Sequence, residues 1–466
     1  MNISDNFLPI HPEYQDTKGK SVLMWACKNN YNILVKLLIA TGNAYPEYQD
    51  FKGDSALISA CRNNNTTQSV VKLLLDTGNS HPEYQNTECY SALMWACKNN
   101  NTEIVQLLLD TGNAHPEYQD TDGKSALMWA CKKDNTEIVK LLLDTGNAHP
   151  EYQDANGKSA IILACRYNYT KIVRLLLDTG NSHPEYQDTK GQSALIRACW
   201  NDNTEIVKLL LATGNAHPEY QNTKGFSALM WACENENTEI VKLLLATGNA
   251  HPEYQNIYGY SSIMLACKLN NTEIVQLLLA TRNAYPEYQN IYGESALIIV
   301  CRYNYTEIVK LLLATGNAHP EYRNNDGTSA LIWACRNEKM EIVKLLLATG
   351  NAYPEYRNKD GKTAIDYDND SIIKCICLYI KTRKIMKKII LIIKVVIAFK
   401  NYDKGKPYSC EMFYLMGLDG LLPTQCNNID VSIDNKPNVK NKINIQQLKF
   451  MKLGYEEYSH SVNSVN

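Results

Sequence analysis

The sequence has no excess of charge of one sign. Its 466 residues include 47 lysines and arginines against 49 aspartates and glutamates, so the formal net charge is −2. This balance does not support a uniformly basic nucleic-acid-binding protein, and we expect no nucleic-acid partner. The composition of a disordered or collagen-like chain is also missing, because 45% of the residues are hydrophobic and only 21% are charged.

Signals of three other protein classes are missing as well. Residues 1–6 have neither the basic nor the apolar region of a secretory signal peptide. The apolar stretch 389–399 is interrupted by Lys394 and falls far short of the roughly 20 residues that span a bilayer. The 15 cysteines are an odd number spread over a long chain, unlike those of a small disulfide scaffold. We therefore expect an intracellular protein, most simply a cytoplasmic one.

What the sequence does contain is an internal repeat. Pro-Glu-Tyr recurs in steps of 34 residues, with one step of 36, and its prolines are residues 12, 46, 82, 116, 150, 184, 218, 252, 286, 320 and 354. A cysteine keeps the same spacing at residues 27, 61, 97, 131, 165, 199, 233, 267, 301 and 335. The two extra residues therefore follow Cys61, between the two predicted helices of that unit. Such a period is typical of a solenoid built from one copied supersecondary unit.

One unit, residues 123–157, predicts a helix, a turn, a second helix and a finger. Residues 125–131 form an apolar run that is long enough for a short helix. Residues 136–143 place apolar side chains at i, i+3 and i+4, the pattern of an amphipathic helix. Pro150 cannot continue that helix, so the chain must run out and return as an extended finger ending at a glycine.

This arrangement resembles the ankyrin repeat. The matching residues of one unit are Gly123, Ser125-Ala126-Leu127, Ala130-Cys131, Glu137-Ile138-Val139, Leu141-Leu142-Leu143 and Gly146. The resemblance implies an all-α ankyrin solenoid of about ten 34-residue helix-turn-helix units with β-hairpin-like fingers. It divides the chain into an N-terminal segment with a partial finger (1–15), ten repeats (16–359), a C-terminal capping repeat (360–383) and a basic, then polar tail (384–466).

Two features depart from the family pattern. Met128 stands where the family usually has histidine, and the period is 34 residues rather than 33. The fingers read His-Pro-Glu-Tyr-Gln, and the composition is rich in Asn, Ile, Lys and Tyr. In these respects the chain is most similar to ankyrin-repeat proteins of giant DNA viruses of amoebae. That origin would make the partner a host-cell protein, and we expect the array itself to be a monomer.

The recurring cysteines and rings have structural explanations. Each cysteine takes the place of a small buried alanine, and successive copies would lie roughly 10 Å apart, beyond the reach of a disulfide. A flat ring with a polar tip explains one finger position, which carries His11, His81, His115, His149, His183, His217, His251 and His319 but also Tyr45, Tyr285 and Tyr353. We expect no catalytic, cofactor or metal site in the repeats, and no enzyme activity.

A further ring position lies in the first helix. It carries Trp25, Trp95, Trp129, Trp231 and Trp333, and in the other repeats Ser59, Leu163, Arg197, Leu265 and Ile299. Because aliphatic residues replace tryptophan there, we expect a core or half-buried wall rather than a cofactor site.

The family resemblance implies a protein partner on the concave side, formed by fingertips and first helices. This surface corresponds to the residues flanking each tip glycine and to the two residues after each repeat cysteine. The copies differ there, as expected if the fold does not dictate these residues. Aromatic side chains accumulate there in the later repeats, and exposed aromatic surface usually marks an interface. The candidate partner-binding residues are Trp200, Phe226, Tyr258, Tyr260, Leu269, Tyr292 and Tyr303. The alternative is that these rings pack on neighbouring fingers.

Two glycine positions carry other residues. Cys89 replaces the glycine of a fingertip, and Arg282 replaces the glycine that ends the second helix in other repeats. If the backbone keeps a positive φ at these positions, both side chains are strained.

The tail leaves the function open. Nine basic residues and one acidic residue lie between Lys381 and Lys406. We expect residues 389–399 to pack on the last repeat as a terminal helix, or alternatively to lie on an anionic surface. Leu421-Leu422-Pro423 faintly resembles the F-box-like tails of some viral ankyrin proteins. The chain is therefore either a non-enzymatic interaction scaffold or a substrate-recognition adaptor whose tail recruits a ubiquitin ligase or another effector.

Overall fold

A computed structural model of the chain describes residues 14–42, 44–367 and 369–402, with side chains as far as residue 394. These residues form ten helix pairs followed by one long helix. The first helices are α1 (Val22–Lys28), α3 (Ala56–Arg62), α5 (Ala92–Lys98), α7 (Ala126–Cys131), α9 (Ala160–Arg166), α11 (Ala194–Trp200), α13 (Ala228–Glu234), α15 (Ser262–Lys268), α17 (Ala296–Tyr303) and α19 (Ala330–Arg336). The second helices are α2 (Asn32–Ala40), α4 (Gln68–Leu75), α6 (Thr102–Leu109), α8 (Thr136–Asp144), α10 (Thr170–Asp178), α12 (Thr204–Ala212), α14 (Thr238–Ala246), α16 (Thr272–Ala280), α18 (Thr306–Ala314) and α20 (Met340–Ala348).

A serine begins each first helix. In α7 the Ser125 side chain accepts a hydrogen bond from the Met128 amide, as an N-cap residue does. Three residues usually separate the two helices of a pair, but five residues, 63–67, separate α3 from α4. The prediction that two extra residues enter there is confirmed.

The core is shared between neighbouring pairs. In the fifth repeat, α9 buries the side chains of residues 160–165, and α10 buries Ile172, Val173 and Leu176. First helices contact first helices of adjacent repeats, and second helices contact second helices. All ten repeat cysteines are at most 2% exposed, and their burial raises the pKa of the thiols. Their predicted role as small buried hydrophobes is confirmed.

The fingers are hairpin-like and are held by one acidic or amide side chain. A single antiparallel bridge joins the two sides of each of ten fingers, as between Gln119 and Ser125. At the tip, Asp120 Oδ1 accepts hydrogen bonds from the amides of Asp122 and Lys124, at 3.0 and 2.8 Å. Neighbouring fingers are linked by backbone, because the Ala155 amide donates to the Asp122 carbonyl at 2.8 Å.

The tip glycines and the helix-end glycines serve different purposes. At the tip, Gly225 has φ +75°, and a Cβ there would lie 2.7 Å from Asn256 Cα of the next finger. At the end of the second helix, Gly248 has φ +77°, but a Cβ would meet nothing within 4 Å. Cys89 and Arg282 keep positive φ values of 57° and 63°. Both replacements therefore carry the left-handed backbone that the sequence suggested would be strained.

The long helix α21 (Asp370–Tyr402) begins within the repeat unit, which extends to Tyr379. Ile372 and Ile376 in its first turns are buried. The boundary expected at 383 lies inside this helix and stays a prediction. Farther along the helix, Ile390 and Ile393 are about half exposed. The packing of residues 389–399 on the last repeat stays a prediction. None of the described helices has both the length and the apolar composition needed to cross a membrane.

We predict that replacing Arg282 by glycine stabilises the array by about 1 kcal/mol, because glycine adopts φ +63° without the steric cost paid by arginine. The thermal midpoint measured by circular dichroism checks the gain. The reverse change, Gly248→Arg, creates no clash at the Cβ and should lower stability by a similar amount. An unchanged midpoint for Arg282→Gly would mean that the end of α16 is not strained.

Candidate partner-binding surface

The residues that flank the tip glycines and those that follow the repeat cysteines form one continuous surface. Arg62 follows Cys61 and pairs with Asp54, which follows a tip glycine, at 2.9 Å. Arg302 and Glu294 repeat this contact at the same distance seven repeats later. The tryptophan position of the first helix lies between these two rows, as described below. We call the three rows together the finger–helix surface.

In the early repeats, cations of the chain itself cover the rings of this surface. Lys98 Nζ lies 4.7, 4.4 and 4.5 Å from the ring centroids of Tyr90, Trp95 and Trp129. Burial lowers the pKa of Lys98, although nearby carboxylates oppose this effect. Lys132 Nζ covers Trp129 at 4.4 Å. These cation–π contacts occupy the ring faces from within the chain. The predicted half-buried wall of tryptophans is confirmed here, since Trp95 and Trp129 are partly covered.

Two candidate residues, Trp200 and Phe226, pack on a third ring that the sequence assigned to the wall. Trp231 stacks on Trp200 with ring centroids 5.3 Å apart and on Phe226 at 4.6 Å. The Arg197 guanidinium lies over the Trp200 ring, 5.0 Å from its centroid. The same guanidinium pairs with the buried carboxylate of Asp188 at 3.3 Å. Trp200 nevertheless remains 46% exposed. The three rings thus form a fixed aromatic platform rather than three separate side chains.

Two candidate tyrosines, Tyr258 and Tyr292, project from adjacent fingertips. They are 43% and 54% exposed, and no aromatic ring stacks on either among the described residues. Ile257 and Ile291 precede them at the same tips and are 56% and 53% exposed. The two fingers are linked directly, because the Ile291 amide donates to the Tyr258 carbonyl at 3.1 Å. The two isoleucines are not among the candidate residues of the sequence analysis, although their position next to the tip tyrosines is a signal that indicates them.

The remaining candidates lie in different surroundings. Tyr260 is half-buried below its fingertip, where burial and then Glu294 raise its pKa. Leu269 is half-buried at the end of α15. Tyr303 is 42% exposed and stacks on Tyr305 in the turn between two helices, at 5.8 Å. The structure therefore brings Trp200 and Phe226 together on Trp231, and Tyr258 and Tyr292 together on adjacent tips.

The second residue after each cysteine is dictated by the fold more often than the sequence suggested. Asparagine fills this position in six repeats, and five of these side chains donate to a backbone carbonyl of the preceding repeat: Asn63, Asn99, Asn201, Asn235 and Asn337, at 2.7 to 3.2 Å. The expectation that structure leaves this position free is wrong for these repeats. Tyr167, Leu269 and Tyr303 replace the asparagine and so lack its inter-repeat bond.

Two turns have lost a second hydrogen bond. Arg166-Tyr167-Asn168-Tyr169 and Arg302-Tyr303-Asn304-Tyr305 have the same sequence. Their last tyrosine stands where Asn271, in another repeat, accepts a hydrogen bond from the Ile274 amide at 3.0 Å. Neither tyrosine caps its helix. Each turn therefore has a stacked tyrosine pair, exposed at its first ring and half-buried at its second, in place of two hydrogen bonds.

The finger histidines contact a glutamate and a tyrosine of their own finger. In nine fingers of the described part of the chain, the ring at this position has a positive φ. Seven of these rings are histidines, with Nδ1 2.7 to 2.9 Å from a glutamate Oε1. His149 also stacks on Tyr152 at 4.7 Å, and Tyr45 stacks on Tyr48 at 5.0 Å. Stacking explains why tyrosine can replace histidine there.

The hydrogen bond from the finger histidine lowers the pKa of the glutamate that accepts it. Burial raises the pKa of Glu151, but the bonds from His149 and from its own amide outweigh burial, so the pKa lies below its ordinary value. The same holds for Glu117 and Glu185. A lowered folded-state pKa stabilises the fold above the unfolded-state pKa, and that contribution disappears as the pH falls through the folded-state value.

Comparison with known families covers most of the chain. Residues 3–86, 67–154, 146–222, 213–290 and 263–360 match the family model described as ankyrin repeats (3 copies), and together they span more than three quarters of the sequence. No curated protein matches the chain.

We predict that Lys339→Asn stabilises the array by about 1 kcal/mol, because exposed Lys339 begins α20 without a side-chain cap. Tyr305→Asn should change stability much less. It restores the same cap but loses the stack with Tyr303, and an aromatic pair contributes about 0.5–1.5 kcal/mol. Thermal unfolding of both variants checks the difference. Equal gains would show that the tyrosine pair does not offset the lost cap.

We also predict that replacing His115, His149 and His183 by tyrosine weakens the acid sensitivity of the fold. The stacks are retained, as at Tyr45, but the bonds to Glu117, Glu151 and Glu185 are lost. The wild-type midpoint should fall as the pH drops from about 4.5, the ordinary glutamate value, and the variant should fall less over the same range. Midpoints measured from pH 7 to pH 3 test this. Parallel curves would mean that these pairs do not carry the dependence.

Proposed function

Because the chain belongs to the ankyrin-repeat family, whose repeats are protein–protein interaction modules, we propose that it is a non-enzymatic scaffold that binds a protein partner on the finger–helix surface. In the family this surface is the concave side of the array. The proposal assigns the contact to Trp200, Phe226, Tyr258, Tyr260, Leu269, Tyr292 and Tyr303. The observation that carries it is the concentration of exposed aromatic and aliphatic side chains on adjacent fingers of the later repeats.

The difference between the early rings and the two tip tyrosines, Tyr258 and Tyr292, supports their place in this assignment. Lys98, Lys132 and Arg62 cover the rings of the early repeats, so those rings are already engaged. Tyr258 and Tyr292 carry no such cation among the described contacts. Tyrosine and tryptophan are the residues most enriched at interface positions that dominate affinity. The two fingertips that carry Tyr258 and Tyr292 are therefore the part of the surface best suited to an apolar partner.

The alternative hypothesis, that the candidate rings pack within the array instead of binding a partner, describes only some of these rings. Phe226 and Trp200 do pack on a neighbouring ring of the array, Trp231. A ring held in place loses little side-chain entropy when a partner binds, so this packing favours binding rather than opposing it. The exposed isoleucines at residues 257 and 291 extend the apolar surface between the two tip tyrosines.

The proposal has a second form, in which the chain is a substrate-recognition adaptor rather than a scaffold alone. Leu421-Leu422-Pro423 and the rest of residues 403–466 lie outside the described residues. In this form the repeats bind a substrate, and the tail recruits a ligase. A viral origin would make the substrate a host-cell protein.

The basic residues from Lys381 onward are proposed as a contact for an anionic surface, since α21 exposes Ile385 and Ile390 beside its lysines. Affinity purification of residues 1–380 and of 381–466 separates the two forms, because ligase subunits retained by the second fragment alone favour the adaptor.

We predict that Tyr258→Ser with Tyr292→Ser abolishes partner recovery while leaving the thermal midpoint nearly unchanged, because both rings are exposed and lack ring partners. Crosslinking of the full chain in cells, followed by mass spectrometry, identifies the proteins that this variant loses. The matched control, Asn156→Ser with Lys190→Ser, changes the same tip position in earlier repeats and should keep them. A large fall in midpoint would instead assign the tyrosines to folding.

A further inference from the structure

The finger glutamine is replaced by arginine in two adjacent repeats. The residue that follows Pro-Glu-Tyr is glutamine in nine fingers, from Gln15 to Gln289, and arginine in the last two, Arg323 and Arg357. The replacements are consecutive, so the two side chains belong to neighbouring fingers of the stack.

The glutamine has a definite structural role that the arginines do not copy in full. In eight fingers its Nε2 donates to the carbonyl of the residue four positions later, at 2.5 to 2.8 Å, as Gln289 does to Gly293. The same Nε2 reaches the backbone of the next finger at 3.2 to 3.5 Å. Arg357 keeps the first bond, since its Nη1 donates to the Gly361 carbonyl at 2.6 Å. The guanidinium of Arg323 instead lies over the Tyr356 ring, 4.6 Å from its centroid.

A cavity of about 550 Å³ lies where these arginines replace glutamine. Arg323, Arg357 and Lys359 line it, together with the amide side chains of Asn325 and Gln289. Polar groups make up most of its lining, and the three cations come from two successive fingers.

The acidic group of the cavity is bonded through one of its two oxygens, while its Oε2 is buried without a hydrogen-bond partner among the described residues. Glu321 is its one carboxylate within the described lining, and its Oε1 is bound by His319 Nδ1 at 2.9 Å. Lys359 Nζ contacts Asp326 at 3.3 Å, but both side chains are about 70% exposed, so this pair is weak. Cationic charge therefore exceeds anionic charge in the cavity.

We propose that this cavity binds a phosphoryl group. Arginine presents a planar set of N–H donors that matches phosphate oxygens, and two arginines from adjacent fingers can contact one group from two sides. The Tyr356 ring and the Gly361 carbonyl hold the two guanidiniums, while each retains further N–H donors for a ligand. None of the candidate partner-binding residues lines this cavity, and Asn325 of its lining contacts the Tyr292 fingertip only at the backbone carbonyls of Ile291 and Tyr292, at 2.8 Å.

Titration of the full chain by calorimetry at low salt tests the proposal. The probes are inorganic phosphate and three capped tripeptides, Gly-X-Gly, in which X is phosphoserine, serine or glutamate. We expect saturable binding of phosphate and of the phosphoserine peptide at one equivalent, with no binding of the serine peptide. Tighter binding of the phosphoserine peptide than of phosphate would assign the group to a modified protein, and the reverse order to a free phosphate compound. Equal binding of the glutamate and phosphoserine peptides would overturn the phosphoryl assignment.

Two double variants identify the site. Arg323→Gln with Arg357→Gln installs the residue of the other fingers, so the fold is kept, and phosphate affinity should fall roughly tenfold or more. Lys190→Gln with Lys224→Gln removes the same charge elsewhere on the fingers and should leave binding unchanged. An equal loss in both would mean that only net charge matters and would refute the site. Tyr258→Ser with Tyr292→Ser should not alter phosphate binding, so this test and that of the protein partner fail independently.

Discussion

Each helix pair presents apolar side chains on two sides, and the neighbouring pairs cover them. In the fifth repeat, α9 and α10 bury nearly every aliphatic residue, yet the two helices are only seven and nine residues long. Isolated helices of this length are marginal in water, so their stability comes from the stack. The same interface recurs in every repeat. The same residues therefore recur with it, which is why alanine, cysteine, isoleucine and leucine keep a 34-residue period.

A second constraint acts at the fingers. The tip glycine combines a positive φ with an approach so close that a Cβ at Gly225 would lie 2.7 Å from the next backbone. At the helix ends the backbone is also left-handed, but the space is open. This difference explains why Arg282 is tolerated at a helix end at the cost of backbone strain alone. It also shows that glycine can recur at two positions of a repeat for two different physical reasons.

The periodicity of the sequence predicted those features of the fold that depend on residues close together in the chain. The helices, the buried cysteines and the inserted residues after Cys61 all follow from spacing and apolar pattern. Contacts between repeats could not be predicted in the same way. Asn99 donates to a carbonyl 38 positions earlier in the chain, and Lys98 lies among rings from two repeats. Trp231 was assigned to the wall, and only its stacking with Trp200 and Phe226 makes it part of the candidate surface.

A departure from the repeat pattern is informative only when the structure shows what the usual residue does. Asparagine after the repeat cysteine bonds the preceding repeat, so Tyr303 stands where a stabilising contact is absent. Glutamine in the finger bonds two carbonyls, so Arg323 likewise gives up contacts that its counterparts make. Most substitutions destabilise, and those that persist at such positions are candidates for a role other than folding. By contrast, variation at the tip position of Asn156 and Lys190 costs no side-chain hydrogen bond among the described contacts, so Tyr258 and Tyr292 at that position are candidates because of their exposure. For Tyr303 and Arg323 the lost contact is evidence in addition to exposure, because in a copied array the energetic reference for each position is its own counterpart in the next repeat.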